Sequence, residues 1–146
     1  MDFFSRLITA LTVTHPLHPM IVHFPIALTG AAAFFILLAL WKRSTMLEQA
    51  AFANIALASV STLVAAVTGM MDNISNYDGA APNSSVKIML ATLLLILTSA
   101  TAILRARNPN LFETPSRKPW YVAAYFTSFG LAAVLGFLGG VILYGF

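Results

Sequence analysis

The segment Pro19–Trp41 runs for 23 residues without an Asp, Glu, Lys or Arg. A helix of this length, at about 1.5 Å per residue, crosses a hydrocarbon core roughly 30 Å thick. Further stretches of this kind follow, and charged residues or turn formers bound them. The pattern predicts an all-α integral membrane protein, a four-helix bundle with spans at about 19–41, 47–71, 87–104 and 120–146.

Composition supports a single transmembrane domain over residues 1–146. The chain is 59% hydrophobic and 9% charged, with a mean hydropathy of +0.84, whereas soluble domains carry about 25% charged residues. A net charge of +3 is too small to indicate a nucleic-acid partner. The absence of cysteine excludes disulfides, thiolate metal sites, iron–sulfur ligation and c-type haem attachment.

The first residues form a separate pattern, in which apolar side chains recur every three to four positions and polar ones fall on the opposite side. This spacing predicts an amphipathic helix over about 2–13 that lies in the membrane interface. The alternative is a frayed tail, because isolated helices this short are marginally stable. The apolar positions are Phe3, Phe4, Leu7, Ile8 and Leu11.

The distribution of Lys and Arg predicts the orientation. The segments joining spans one to two and three to four carry six basic residues, whereas the other side has Arg6 and Lys87. The positive-inside rule therefore places both termini and the 72–86 loop outside. An aromatic belt is expected on the inner side, at Trp41, Trp120 and Tyr121.

Small residues mark the faces on which helices approach closely, because lipid offers no hydrophobic drive for helix association. The fourth span carries such a stripe at four-residue spacing, which could serve a partner subunit but is better explained by internal packing. Its members are Ser128, Ala132, Gly136 and Gly140. The second span offers a comparable face at Ala58, Thr62 and Ala66.

Three histidines, His15, His18 and His23, stand among prolines at the mouth of the first span. The orientation collects them at an external rim with Asp72 and Lys87. An ionisable group at or under the apolar slab is costly, so it is a candidate functional residue. His18 is expected at or beside the helix N-cap, with His23 deeper. Those two are separated by about 140° of helical rotation, so they cannot chelate one ion, and no metal site is expected.

His23 admits three interpretations. It could ligate a haem iron, or donate to a quinone carbonyl in a slot shaped by Phe24. It could instead hydrogen-bond a polar group of the second span, Thr68 or Asp72, which is the interpretation favoured here. Asp72 should in turn need a cationic partner, Lys87 or His23, because a carboxylate at a helix C-terminus opposes the macrodipole.

The sequence contains no nucleophile elbow, HExxH, P-loop or paired carboxylates on one helix face. We therefore expect no enzyme activity. Discontinuous spans and inverted repeats, which are typical of transporters, are not evident either. An ion or small-solute carrier is the weakest of the functions considered.

Three segments carry a resemblance: His-Pro-Leu-His-Pro-Met-Ile-Val-His-Phe-Pro-Ile-Ala-Leu at 15–28, the end of span two at 68–72, and the ending 138–144. They resemble a family of four-helix bacterial membrane proteins described only as a domain of unknown function. Some relatives are fused to, or sit beside, cytochrome c or Rieske domains, which implies an energy-conversion setting. Many relatives carry a His, with an Asn four residues later, early in span three. Lys87 and Ala91 stand near those positions here, so the resemblance implies an accessory subunit.

The function expected is therefore a non-catalytic integral subunit of a bacterial electron-transfer or photosynthetic complex in the inner membrane. It would stabilise assembly or shape a quinone path, with the lipid bilayer and other membrane subunits as partners and no intrinsic cofactor. The alternative is a redox-active protein that binds b-type haem or quinone near His23, with His18 and Phe24 beside it.

Overall fold

The computed structural model describes residues 2–9 and 17–144. In these residues the secondary structure is helical, without strands, as the sequence predicts. Four helical stretches are long and apolar enough to cross a membrane: Leu17–Lys42, Thr45–Tyr77, Ser84–Arg107 and Lys118–Val141. The helices are α1 (Phe3–Thr9), α2 (Leu17–Ile21), α3 (His23–Lys42), α4 (Thr45–Tyr77), α5 (Ser84–Arg107) and α6 (Lys118–Tyr144).

Helix α1 lies within the segment expected to be an interfacial helix. Phe3 and Phe4, its first two residues, are exposed. Residues 10–13 of the expected helix lie outside the described residues. Placement of this helix in the interface stays a prediction.

The long helices form a four-cornered bundle. Helix α3 packs against α4 and α6, and α5 packs against the same two helices, while α2 packs on α4. Short connections make sequential helices antiparallel, so the bundle has two distinct ends. We call the end with the 43–44 connection and the 108–117 loop the arginine end. The opposite end, with α2, the last turns of α4 and the start of α5, is the histidine end.

The interior is built from small side chains and hydroxyls, which let the backbones approach closely. Buried Thr and Ser side chains donate to a backbone carbonyl of their own helix, so no polar atom is left without a partner inside the part of the chain described. These residues are Thr29, Thr62, Thr98, Thr101 and Ser128. Large apolar side chains point outward instead, as expected of a surface that faces lipid.

The stripe on α6 lies largely inside the bundle. Ser128 and Ala132 are buried, and Gly136 lies against Ile26 of α3. A Cβ at Gly136 would come within 2.8 Å of the Ile26 Cδ1 atom, so this glycine permits a close approach of α3 and α6. Gly140, one turn further, is half-buried.

On α4 the predicted face is wrong at one position. Ala58 and Thr62 are buried, but Ala66 is exposed and Ala65 is buried in its place. The buried positions of this helix begin at Ala51 and follow a spacing of three and four residues. A strict four-residue repeat rotates away from that face because a helix has 3.6 residues per turn.

Helix α4 does not end at Asp72, as the sequence suggested, but continues to Tyr77. It ends where Asp78 and Gly79 adopt positive φ angles of 50° and 78°. The Gly79 N–H then donates to the Asn73 carbonyl over 2.9 Å, which is the Schellman arrangement that closes a helix. Asp72 is therefore a residue of the helix body, and the connection to α5 is only residues 78–83.

The first span is interrupted at Val22, between α2 and α3. Pro25 lacks the N–H that would bond the Ile21 carbonyl, so a kink near this point was expected. His18 lies within α2 rather than at its cap. The interruption separates the two described histidines into different helices, and they face different surroundings.

Candidate functional site

Glu48 is buried at the arginine end, with 2% of its surface exposed. It lies in the first turn of α4, after the N-cap Ser44, where the helix dipole favours a carboxylate. Arg105 of α5 holds it in a two-point ion pair. The Arg105 Nε lies 2.6 Å from Glu48 Oε1 and Nη2 lies 2.8 Å from Oε2. This geometry is the strongest form of a carboxylate–guanidinium pair.

Two tyrosines of α6 complete this arrangement. The Tyr121 hydroxyl donates to Glu48 Oε1 over 2.7 Å. Its oxygen lies 2.6 Å from the Tyr125 hydroxyl. Because Tyr121 has given its proton to Glu48, Tyr125 is the donor of that second bond. We call Glu48, Arg105, Tyr121 and Tyr125 the Glu48 network; it ties α4, α5 and α6 together.

The 108–117 loop closes over this end. Leu111 and Phe112 are buried and belong to the same apolar cluster as Tyr121 and Tyr125. The Lys118 Nζ lies 4.3 Å from the centre of the Phe112 ring. The network is thus screened from water by apolar groups, and its hydrogen-bonding groups are used on one another.

The Glu48 network was not foreseen, and it corrects one expectation. Tyr121 was expected in an aromatic belt with Trp41 and Trp120, but it is buried while both tryptophans are highly exposed. A signal was present: Glu48 is the sole carboxylate between Lys42 and Met71. A carboxylate inside a span needs a partner, and Arg105 ends another span on the same side.

At the histidine end, His18 packs on α4. A Cβ at Gly69 would lie 2.7 Å from His18 Cε1, so the glycine makes room for the imidazole. His18 Nδ1 lies 3.4 Å from Thr68 Oγ1. The Thr68 hydroxyl donates to the Val64 carbonyl, so His18 Nδ1 is the donor to Thr68.

Asp72 and Lys87 lie near this histidine, and both interact electrostatically with it. Asp72 accepts a hydrogen bond from Asn76 over 2.6 Å. Its expected cationic partner, Lys87 or His23, makes no direct ion pair with it within residues 2–9 and 17–144. The rim therefore brings His18, Asp72 and Lys87 together as proposed from the sequence, through longer-range forces. His15 lies outside the described residues.

His23 faces outward, and its expected bond to Thr68 or Asp72 is wrong, because His18 occupies Thr68. The His23 Nδ1 lies 2.6 Å from the Pro19 carbonyl oxygen. A carbonyl can only accept, so Nδ1 carries the proton and the neutral ring presents an unprotonated Nε2. The side chain is exposed. Nε2 can therefore ligate a metal or accept a hydrogen bond, but cannot donate to a quinone carbonyl.

His23 belongs to a continuous exposed face of α3. Trp41 is 18 residues further along, five full turns of helix, and therefore lies on the same side. The exposed residues between them follow the same face. We call this surface the α3 outer stripe: His23, Phe24, Ala27, Phe34 and Trp41.

A metal or cofactor site is incomplete among the residues that the structure describes. No three His, Asp or Glu side chains in them are grouped to hold a metal ion. His23 Nε2 could supply one axial ligand to haem iron, and Phe24 beside it could contact the ring. The second ligand would have to come from another chain.

Comparison with known proteins gives one match. Residues 14–146 match the family described as "Predicted membrane protein (DUF2231)". No curated protein and no solved structure matches the chain.

Proposed function

We propose that this chain, which belongs to the DUF2231 family of predicted membrane proteins, is a non-catalytic integral subunit of a bacterial electron-transfer or photosynthetic complex. It would stabilise assembly or shape a quinone path. The observation that carries the proposal is the position of His23. Its Nδ1 is fixed on the Pro19 carbonyl, and its free Nε2 belongs to an exposed, otherwise apolar face.

The interior offers little for chemistry. The Glu48 network satisfies its own charges and hydroxyls. The remaining buried hydroxyls donate to backbone carbonyls, and buried side-chain N and O atoms in the described residues have partners. A group used in general acid–base catalysis must reach a substrate. The function is therefore more economically placed on the outer surface.

The α3 outer stripe suits a protein partner better than lipid alone. Phe24, Phe34 and Trp41 are stable against acyl chains, but an imidazole nitrogen that faces hydrocarbon without a hydrogen bond is costly. A donor from a neighbouring subunit would remove that cost. The stripe is about 27 Å long, sufficient for a helix of a partner to pack along it.

The electron-transfer setting comes from the resemblance given above, in which some relatives accompany cytochrome c or Rieske domains. Helix α5 carries Lys87 near the position where many relatives have a histidine. A subunit that contributes surface, rather than a complete cofactor site, fits this difference.

Photo-cross-linking in native membranes tests the proposal. A photoreactive amino acid at Phe34 should capture a discrete membrane protein, because this position lies in the middle of the stripe. The matched control is Ile96 on α5, which is equally exposed and should give lipid adducts. Lipid adducts alone at both positions would contradict the subunit function.

The second candidate is a redox protein with b-type haem or quinol bound near His23. The hydrogen bond from Nδ1 to a backbone carbonyl supports it, because this contact orients an imidazole whose Nε2 ligates iron. Protein purified with its native membrane lipids should then show a Soret band. The band should be lost in His23→Ala and kept in His18→Ala; a spectrum without it, or equal bands in both variants, argues against haem.

We further propose that the protein lies in the bacterial inner membrane with both termini and the 78–83 connection outside. The chain has no cysteine, so a single introduced one reports alone. An impermeant thiol reagent added to intact cells should label Ala80→Cys and spare Ser116→Cys; both residues are exposed, at opposite ends. The reverse pattern would invert the topology.

A further inference from the structure

A small basic cavity lies at the arginine end, in the connection between α5 and α6. Its volume is about 230 Å³, several times the ~30 Å³ share of a water molecule. Its wall includes two arginines, Arg107 from the end of α5 and Arg117 from just before α6, with Asn110 between them in sequence. We propose that this cavity binds the phosphate of an anionic phospholipid headgroup, a site independent of the function proposed above.

The two guanidinium groups are free to bind a ligand. Both arginines are exposed, and the single ion pair among residues 2–9 and 17–144 belongs to Arg105 and Glu48. Other polar groups of the wall are already used, since Asn108 Nδ2 donates to the Leu104 carbonyl and Thr114 Oγ1 donates to the Asn110 carbonyl. The free donors are thus two charged forks and one amide, a set that suits a phosphate.

The loop holds this arrangement in a fixed shape. Successive turns within it are closed by backbone hydrogen bonds, among them those from Leu111 N–H to Asn108 and from Arg117 N–H to Thr114. Leu111 is itself buried in the bundle and anchors the middle of the loop. The arginines are therefore presented by ordered backbone on both sides of the cavity.

The position along the membrane normal favours a lipid over another anion. Trp120 lies three residues after Arg117 and is 80% exposed, and Trp41 at the same end is 78% exposed. Exposed tryptophans mark the headgroup level of membrane helices. Basic pockets at this level bind anionic headgroups. The carboxylate nearest in sequence, Glu113, lines a separate depression beside Glu48.

Native mass spectrometry of the full chain in mild detergent tests this site. Phosphatidylglycerol should be retained in preference to phosphatidylcholine, and the double variant Arg107→Gln, Arg117→Gln should bind it at least about tenfold more weakly, because two charge-assisted hydrogen bonds are lost. The matched control is Lys42→Gln, Arg43→Gln, which removes the same charge at the same end, away from the cavity. It should change the affinity by less than about twofold, because the charges lie outside contact distance.

Two further arms identify the source of the anion. Inorganic phosphate and an oligoglutamate peptide, each added to the protein in phosphatidylcholine nanodiscs, should bind too weakly to displace phosphatidylglycerol. Displacement by inorganic phosphate would indicate a soluble phosphate site, and displacement by the peptide an acidic partner; either result overturns the proposal. Equal losses in the cavity variant and the control would also overturn it.

Discussion

The two ends of the bundle solve the problem of polar groups in a membrane protein in opposite ways. At the arginine end, Glu48 and Arg105 form a two-point ion pair that a tyrosine reinforces, and all its bonds are 2.8 Å or shorter. At the histidine end, His18 makes one 3.4 Å contact to Thr68, while His23 faces outward. The difference indicates that the arginine end holds the helices together and the histidine end remains available for another molecule.

Removal of Glu48 should break this comparison most severely. Glu48→Ala leaves the Arg105 guanidinium buried without a partner, which typically costs about 3 kcal/mol or more. Unfolding in mixed micelles, followed by circular dichroism, measures the free energy. The control Glu113→Ala removes an exposed carboxylate and should change stability by less than about 0.5 kcal/mol. Equal effects would mean that the network does not stabilise the bundle.

Gly69→Ala tests how tightly α2 sits on α4. The added methyl would collide with the His18 ring, and the overpacking cost of roughly 1–3 kcal/mol should exceed the helix-propensity gain of about 1 kcal/mol. Gly139→Ala on α6 is the control, because a Cβ there meets no atom within 4 Å. It should be neutral or stabilising in the same unfolding assay. A tolerated Gly69→Ala would show that α2 is loosely attached.

The two histidines should separate in stability. His18→Ala loses a hydrogen bond and a half-buried ring, worth about 1 kcal/mol, whereas His23→Ala should remain within about 0.5 kcal/mol of the parent. Thermal melts of the purified variants in one detergent provide the comparison. A larger loss in His23→Ala would assign that residue a structural role and exchange the two functions.

A contact midway between the ends gives a reference of ordinary size. The Ser59 and Ser99 hydroxyls lie 2.7 Å apart between α4 and α5. Interhelical hydrogen bonds in membrane proteins average about 0.6 kcal/mol in double-mutant cycles. The cycle of Ser59→Ala and Ser99→Ala should give a coupling near that value, well below that of Glu48 with Arg105. Comparable couplings would remove the distinction drawn for the arginine end.

The sequence was sufficient for the number and class of the helices, because four long stretches poor in charge have few alternatives to spanning a membrane. It also placed Ser128 and Ala132 correctly on the inner face of α6. Helix ends were less accessible. Asp72 looked like a terminus because it follows an apolar run, but only the positive φ angles at Asp78 and Gly79 decide where the helix stops.

The side-chain partners of the site depended on rotation and depth, which spacing alone does not fix. His18 and His23 both lie near Thr68 in level, and the break at Val22 decided which of them turns inward. The tautomer of His23 follows from a carbonyl on its own chain, four residues back. Glu48 and Arg105 were both visible as ionisable residues at span ends, and their pairing could have been inferred from the alternation of the helices.

The most direct test combines assembly and stability in one set of samples. Wild-type and His23→Ala proteins, expressed at equal levels, are solubilised gently, and the share of each that migrates in a larger complex on native gels is measured with its melting temperature. The account predicts that His23→Ala lowers the complexed share severalfold and leaves the melting temperature unchanged. An undiminished share, or a melting temperature that falls with it, would contradict a surface role for this histidine.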